Sequence, residues 1–385
     1  MGFIQSKNDP CLYHRPDDVI MSEDGMGEIN TGTGVRVVEL QHYGYFKSKV
    51  NPKTYIRRAL TAATHVDDII TRGHRKATEA FWAAVKVRFD VKGWGIVEYD
   101  NPITYCAKRI SKVQKDGQVW YTLDQTEDIR IFLDDNDMST ARAQHAPMPD
   151  KHEIASDPEP ATAQEHKMYR SQVGSLMTLY FTETRMDIMY EVSRLSQGIA
   201  APTKGHMKAL RRIMAYLNTV PDMRLQVSRV HGDTWHIYSD SDHAGDTTMG
   251  TNRSHTGIII LLNGMPVHWK SNKQPITTYS SACAEIYALS ECCREARLIA
   301  WVAEEMGREV PYPIVLQVDN AAGVSYQHST CAASKLRGVY DQRSDWIKEL
   351  KDQSVITAAK VDTDKNLADL LTKCHSVATR KKLAQ

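Results

Sequence analysis

The spacing of apolar residues changes part-way along the chain, from a helical period to a mixture of strands and helices. Within residues 166–225 the apolar positions recur every three or four residues, which is typical of amphipathic helices. Pro202 and Pro221 bracket the second of these helices. Its apolar face is formed by Met207, Leu210, Ile213 and Leu217. The pattern therefore predicts a helical connecting segment.

Residues 226–385 combine short apolar runs with one long helical pattern. Strands are predicted at residues 234–240, 257–262, 314–318 and 355–361. Asn263-Gly264 favours a tight hairpin turn after the second of them. A stripe of apolar residues from about Ser281 onward predicts a long helix. Together these elements predict a mixed α/β domain.

In the first part of the chain the apolar residues do not recur at a regular spacing. Residues 1–135 mix short apolar runs with polar loops. Residues 136–165 are rich in proline and polar side chains, which is typical of a linker. The predicted organisation is therefore 1–135, 136–165, 166–225 and 226–385.

Composition narrows the class of protein. A chain of 385 residues, 42% hydrophobic and 25% charged, is expected to form two or three globular domains. The net charge is +1, so the protein as a whole has no strong positive potential of the kind that attracts nucleic acid. Any basic surface must be local. Seven cysteines without paired spacing are typical of reduced thiols. With no signal-peptide pattern and no apolar run long enough for a membrane span, an intracellular protein without a membrane partner is expected.

Four acidic residues fall at the ends or inner faces of elements that should pack together. They are Asp240, Glu285, Asp319 and Asp369. Taken singly, each is typical of a helix cap or a turn, and Asp319-Asn320 fits that role well. Burying several carboxylates together, however, costs several kcal/mol unless cations neutralise them. Oxygen ligands suit Mg²⁺ or Mn²⁺, so the ordered set predicts a metal site.

The strings around these acids resemble the ribonuclease H domain of Ty1/copia-type retrotransposon polyproteins. The strings are YSDSDHAGD (238–246), SSACAEIYALS (280–290), VDNAAGV (318–324) and NLADLLTK (366–373). The resemblance implies a ribonuclease H-like mixed sheet with flanking helices, whose four acids bind Mg²⁺, with Mn²⁺ as an alternative. The implied activity is two-metal hydrolysis of the RNA strand of RNA–DNA hybrids. Asp242 and Asp246 have no such role in the resemblance.

The resemblance extends upstream. Residues 169–217 are similar to the helical segment that joins polymerase and ribonuclease H in this family. Four basic residues on the second helix are otherwise typical of a solvated face, and this context favours contact with nucleic-acid phosphates. They are Lys204, Lys208, Arg211 and Arg212.

Residues 2–14 and 65–70 are similar to the second half of a reverse-transcriptase palm, which implies a truncated α+β palm. Asp67 and Asp68 match the paired acids of the polymerase site. The third metal-binding acid lies earlier in the palm, and the chain starts at Met1 after that point. We therefore expect no polymerisation by this chain alone.

Two other interpretations remain open. The chain could be an inactive transposon remnant that at most binds nucleic acid, although all four acids are present. It could also be another nuclease or an integrase of the same fold class. The acid order and the lack of zinc-binding His and Cys pairs favour ribonuclease H. The expected partners are an RNA–DNA hybrid and other polyprotein pieces, in a cytoplasmic particle or the nucleus.

Overall fold

The computed structural model divides the chain into two compact units. Unit 1 contains residues 1–106 and 297–311, and unit 2 contains residues 107–296 and 312–385. The structure describes residues 4–5, 12–17, 19–21, 27–30, 36–38, 46–47, 55–65, 68–93, 95–148, 151–178, 181–228, 234–245, 252–306, 308–328 and 342–383.

Unit 1 is built mainly from antiparallel strands. The strands are β1 (Ile4–Gln5), β2 (Leu12–Asp17), β3 (Val19–Met21), β4 (Gly27–Asn30), β5 (Arg36–Val38), β6 (Phe46–Lys47), β7 (Tyr55–His65), β8 (Asp68–Gly73) and β9 (Ile103–Tyr105), with helix α1 (Arg75–Arg88) after β8. One sheet has the order β1-β2-β7-β6 with β8 paired to β7, and another has the order β3-β4-β5. The β7–β8 hairpin brings His65 opposite Asp68.

The first half of unit 2 packs helices around an apolar core. Its elements are β10 (Lys108–Lys115), β11 (Gln118–Asp124), α2 (Thr126–Asp134), α3 (Ala163–Thr178), α4 (Phe181–Thr184), α5 (Met189–Ser196), α6 (Lys204–Thr219) and β12 (Leu225–Ser228). Strand β11 pairs antiparallel with β10 and with β12. The predicted apolar face of α6 is buried at Leu210, Ile213 and Leu217. Thr203 caps this helix by accepting a hydrogen bond from the His206 amide.

Residues 136–165, predicted as a linker, contribute to the core of unit 2. Met138, Met148 and Ile154 are buried and belong to the same apolar cluster as α3 and α6. Residues 151–156 form a 3-10 turn that packs on α6. The prolines and polar residues of this segment therefore mark an irregular path over the helices, along which a few apolar side chains anchor the chain.

The second half of unit 2 is a mixed five-stranded sheet with flanking helices. Its elements are β13 (Trp235–Asp242), β14 (His255–Leu262), β15 (Met265–Lys273), α7 (Ser281–Glu305), β16 (Ile314–Val318), α8 (Ala321–His328), α9 (Gln342–Asp352), β17 (Ile356–Lys360) and α10 (Val377–Leu383). The last turns of α7, from residue 297, are counted with unit 1. The strand order is β15-β14-β13-β16-β17. Strands β13, β14 and β15 are antiparallel neighbours, whereas β13, β16 and β17 run parallel.

The predicted strands and the long helix of this half are all present. Asn263 and Gly264 have positive φ angles of 54° and 76°, as a tight primed turn between β14 and β15 requires. The predicted stripe on α7 is buried at Leu289, Cys292 and Ala296. Strand β16 coincides with the predicted apolar run, and the mixed α/β class is confirmed for this region.

The helical half packs directly against the mixed sheet within unit 2. Helix α5 contacts β15 and the 3-10 turn at residues 367–371. The Tyr190 ring on α5 lies edge-on to the His255 ring on β14, with 5.0 Å between ring centroids. Within the described parts of the chain, no helix has the length and apolar character needed to cross a bilayer.

Candidate metal centre

Three of the four predicted acids converge beside the parallel pair of strands. Ser239 lies opposite Val318 in the β13–β16 register, so the next residues, Asp240 and Asp319, are also neighbours. Glu285 reaches them from the first turns of α7. One ligand oxygen from each of these three acids lies within 4.8 Å of the other two. We call Asp240, Glu285 and Asp319 the acidic cluster.

The start of α7 is fixed to the sheet by a buried amide. Gln274 is 1% exposed, and its Nε2 atom donates to the Ala284 carbonyl oxygen at 3.0 Å. The same nitrogen lies 3.0 Å from Thr256 Oγ1 and 3.3 Å from Ser241 Oγ. Gln274 therefore joins β13 and β14 to the backbone of the residue before Glu285.

Asp369, the fourth predicted acid, is not a member of the acidic cluster. It lies in the 3-10 turn at Leu367–Leu371, before the last helix, where the sequence suggested a helix start. Its Oδ1 atom lies 2.5 Å from Lys373 Nζ, and its Oδ2 atom lies 3.3 Å from His375 Nε2. Lys373 Nζ also lies 3.6 Å from Asp240 Oδ2. Lys373 thus stands between Asp369 and the cluster.

Residues 366–375, which we call the C-terminal segment, are held tightly against the sheet. Asn366 Nδ2 donates to the Ser239 carbonyl oxygen at 3.1 Å, and the Thr372 hydroxyl donates to Asp240. Gly257, opposite Asp240 on β14, leaves room for this approach. A Cβ atom there would lie 2.6 Å from the Ala368 carbonyl oxygen. The glycine is therefore required for close packing beside Asp240.

Burial and the repulsion between neighbouring carboxylates raise the pKa values of Asp240 and Glu285. Burial raises the pKa of Glu285 to about 9, and the neighbouring charges of Asp240 and Asp319 add to the shift. Burial likewise raises the pKa of Asp240 to about 6, although Lys373 and Thr372 act in the opposite direction. Burial alone would lower the pKa of Lys373, but Asp240 and Asp369 outweigh it and raise that pKa. Negative charge is therefore incompletely compensated, and only oxygen donors are offered, which fits Mg²⁺ or Mn²⁺.

The other predicted site residues have different surroundings. Lys204 Nζ lies 2.7 Å from Glu165 Oε2, so its charge is already paired within the protein. On the same helix Lys208 and Arg211 are exposed, and Arg212 is half-buried. Asp68 is exposed at the start of β8, and its Oδ2 atom accepts a hydrogen bond from the Cys106 amide at 3.1 Å. Asp67 lies outside the described residues.

Sequence reasoning missed four residues that shape this site: Gln274, Thr372, Lys373 and His375. Thr372 and Lys373 end the string NLADLLTK, from which only the acid was selected. A threonine and a lysine three and four residues after an acid on one turn could have been singled out as its neighbours. Gln274 had no comparable signal, because its three partners come from separate elements.

Comparison with known proteins finds relatives that match most of this chain. The "Retrovirus-related Pol polyprotein from transposon RE2" of Arabidopsis thaliana is 29% identical over 375 residues, 93% of this chain and 24% of the relative. The corresponding polyprotein from transposon RE1 of the same plant is 33% identical over 207 residues, 53% of this chain and 14% of the relative. The chain is similar along most of its length to Ty1/copia-type retrotransposon Pol polyproteins. It spans about a quarter or less of these two Pol polyproteins.

Three further comparisons complete this description. A 128-residue stretch, 33% of the chain, is 38% identical to the "Secreted RxLR effector protein 161" of Plasmopara viticola and covers 88% of it. The solved structure of LC11-RNase H1 in complex with an RNA/DNA hybrid matches 36% of this chain and 94% of its own, with 17% identity and a TM-score of 0.28. No family model matches the chain.

The raised pKa values predict that metal binding by the acidic cluster depends on pH. Protons compete with the metal ion for Asp240 and Glu285 until the pH exceeds about 6 and about 9 respectively. We expect Mg²⁺ affinity to rise about tenfold per pH unit between pH 7 and 9, where one proton is displaced. Calorimetric titration at pH 7, 8 and 9 in buffers of different ionisation enthalpy measures both affinity and proton release. An affinity that is constant over this range would contradict the assigned protonation.

Proposed function

We propose that this Pol chain is a divalent-metal-dependent nuclease that hydrolyses the RNA strand of RNA–DNA hybrids. The observation that carries the proposal is the convergence of the buried Asp240 and Glu285 with the half-buried Asp319 in one oxygen-only cluster. The similarity to Pol polyproteins supports it, because the four strings that contain the predicted acids resemble the ribonuclease H region of such polyproteins. The proposal includes Mg²⁺ as the working ion and Mn²⁺ as a substitute.

In this proposal the protein positions charge and forms no covalent bond with the substrate. Bound divalent ions would supply Lewis-acid stabilisation of the charge that develops on the phosphodiester, and the family resemblance implies two of them. Asp240, Glu285 and Asp319 would hold the metal. Gln274 anchors the backbone of α7 beside Glu285, and the Thr372 hydroxyl donates to Asp240. Lys373 brings a positive charge to the rim of the same site.

Selection of a hybrid would rest on contacts outside the acidic cluster. A protein distinguishes RNA from DNA by the 2′-hydroxyl and sets its register through phosphate contacts. Lys208 and Arg211 are the exposed basic residues of α6, so we propose that they contact phosphates. Lys204 contributes less in this proposal, because its ammonium is paired with Glu165.

Removing these charges should weaken hybrid binding in a salt-dependent way. For Lys208→Gln or Arg211→Gln we expect the slope of log affinity against log salt concentration to fall by about 1 for each residue. Lys204→Gln is the matched control on the same helix and should change the slope less. Fluorescence anisotropy with a labelled hybrid at several salt concentrations measures the slopes. Unchanged slopes in Lys208→Gln and Arg211→Gln would show that α6 is not part of the hybrid-binding surface.

The proposal places the chain in the family's replication cycle inside the cell, in a cytoplasmic particle or the nucleus, with other polyprotein pieces as partners.

A strand-labelled cleavage assay tests the nuclease. The full chain is incubated with a hybrid labelled on either strand, and with RNA and DNA duplexes of the same sequence, in Mg²⁺ or in EDTA. We expect cutting of the RNA strand of the hybrid alone, and only with Mg²⁺. A folded chain that leaves the hybrid intact would support the inactive-remnant interpretation. Equal cutting of the DNA duplex would point to a different nuclease.

A further inference from the structure

The ammonium of Lys373 occupies a position in the metal centre where a cation is expected. Its Nζ atom is in ion-pair contact with carboxylates on two separate elements, 2.5 Å from Asp369 Oδ1 and 3.6 Å from Asp240 Oδ2. Asp240 belongs to the acidic cluster, whereas Asp369 lies outside it. A metal ion that bridged Asp240 and Asp369 would need the same space.

The position of Lys373 is set by the fold around it. Thr372, the preceding residue, donates its hydroxyl to Asp240, and Asn366 fixes the start of the segment by donating to the Ser239 carbonyl oxygen. On the other side, His375 Nε2 lies 2.9 Å from the Asp369 carbonyl oxygen. These contacts hold the backbone on both sides of Lys373, so its ammonium is directed into the space between the two carboxylates.

The side chain nevertheless reaches this space from the solvent side. The Lys373 side chain is 38% exposed, whereas that of Asp240 is 2% exposed. A flexible four-carbon stem at the rim can withdraw without unfolding the segment, and an ammonium also binds phosphate oxygens. Lys373 is therefore a tethered cation whose ammonium can leave this space while its backbone stays in place.

We propose that Lys373 substitutes for a second divalent ion, so that the free protein binds one metal ion through Asp240, Glu285 and Asp319. This inference rests on the proposed function, because it assumes that the acidic cluster binds metal. A second ion would enter between Asp240 and Asp369 only after the ammonium has moved away. Lys373 is thus a positioning residue that couples occupancy of the second site to substrate binding.

Counting bound Mn²⁺ in the free, full-length chain tests the inference. Electron paramagnetic resonance reports unbound Mn²⁺, and Asp240→Asn gives the background from other surface acids. Above that background we expect one tight ion in the natural chain and two in Lys373→Met. Lys373→Arg keeps the charge and should bind one ion. Lys365→Met is the matched control, because Lys365 is 68% exposed and pairs with Asp362 outside the centre.

The outcomes separate this inference from the proposed function. The role of Lys373 would be contradicted by two tight ions in the natural chain, or by one in a folded Lys373→Met chain. Either result would still support metal binding by the acidic cluster. No ion above the Asp240→Asn background would overturn the metal centre itself. Should Lys373→Met not fold, Lys373→Gln replaces it, and circular dichroism confirms the fold of each variant before ions are counted.

Discussion

Asp240→Asn is expected to lower the rate of hybrid cleavage by about 10³-fold or more, because it removes an anionic ligand at the centre of the site. Asp240 is 1% exposed, lies in the acidic cluster and accepts a hydrogen bond from the Thr372 hydroxyl. Asparagine keeps the shape of the side chain and removes its charge. The loss should therefore arise from metal binding and not from unfolding.

Stability measurements separate these two causes. Without metal, Asp240→Asn should be at least as stable as the natural chain, since one buried charge that Lys373 only partly compensates is gone. Added Mg²⁺ should raise the melting temperature of the natural chain and not that of the variant. Asp242→Asn, two residues further along β13, is the matched control and should retain activity within a few-fold of the natural chain. Full activity in folded Asp240→Asn would show that cleavage does not use the acidic cluster.

Arg185→Met is expected to destabilise unit 2 by about 3–5 kcal/mol, which is typical when one partner of a buried ion pair is removed. The Arg185 side chain is 0% exposed, and its Nε and Nη2 atoms donate to the two Asp187 carboxylate oxygens at 3.0 and 2.9 Å. Its Nη1 atom donates to the Val220 carbonyl oxygen at 3.0 Å. Methionine fills part of the volume but leaves Asp187 without its main counter-charge.

Hydrogen exchange of peptides from α5 and α6, together with urea unfolding, measures this effect. Arg130→Met is the control, because the Arg130 side chain is 59% exposed and lies 3.8 Å from its partner, Glu127. Arg185→Met/Asp187→Leu should recover part of the lost stability, since removing both charges costs less than removing one. A loss below about 1 kcal/mol in Arg185→Met would mean that the pair contributes little to the fold.

Much of the mixed sheet could be predicted from local sequence. Continuous apolar runs and the Asn263-Gly264 pair define strands β14 and β16 and the hairpin turn, because these signals depend on neighbouring residues alone. The packing of α5 on the sheet could not be predicted in this way. Tyr190 and His255 are 65 residues apart in the sequence, and the residues around each of them contain no signal for this contact. For the same reason, the sequence could not predict that Met148 and Ile154 pack into the core.

The acidic cluster was predictable because parallel strands end at one edge of a sheet. Asp240 and Asp319 follow apolar runs, so their meeting needs only the parallel pairing of β13 and β16. The separate position of Asp369 was not predictable, because it depends on which side chain of the C-terminal segment approaches Asp240. Thr372 and Lys373 make that approach, and Asp369 pairs with Lys373 and His375.

Locating the metal ion tests the central claim, that Asp240, Glu285 and Asp319 form a divalent-metal centre. Crystals of the full chain are soaked in Mn²⁺, and anomalous diffraction is measured. We predict a peak about 2.1 Å from one carboxylate oxygen of each of the three residues. An ordered acidic cluster without a peak at saturating Mn²⁺, or a peak held only by other acids, would contradict the claim.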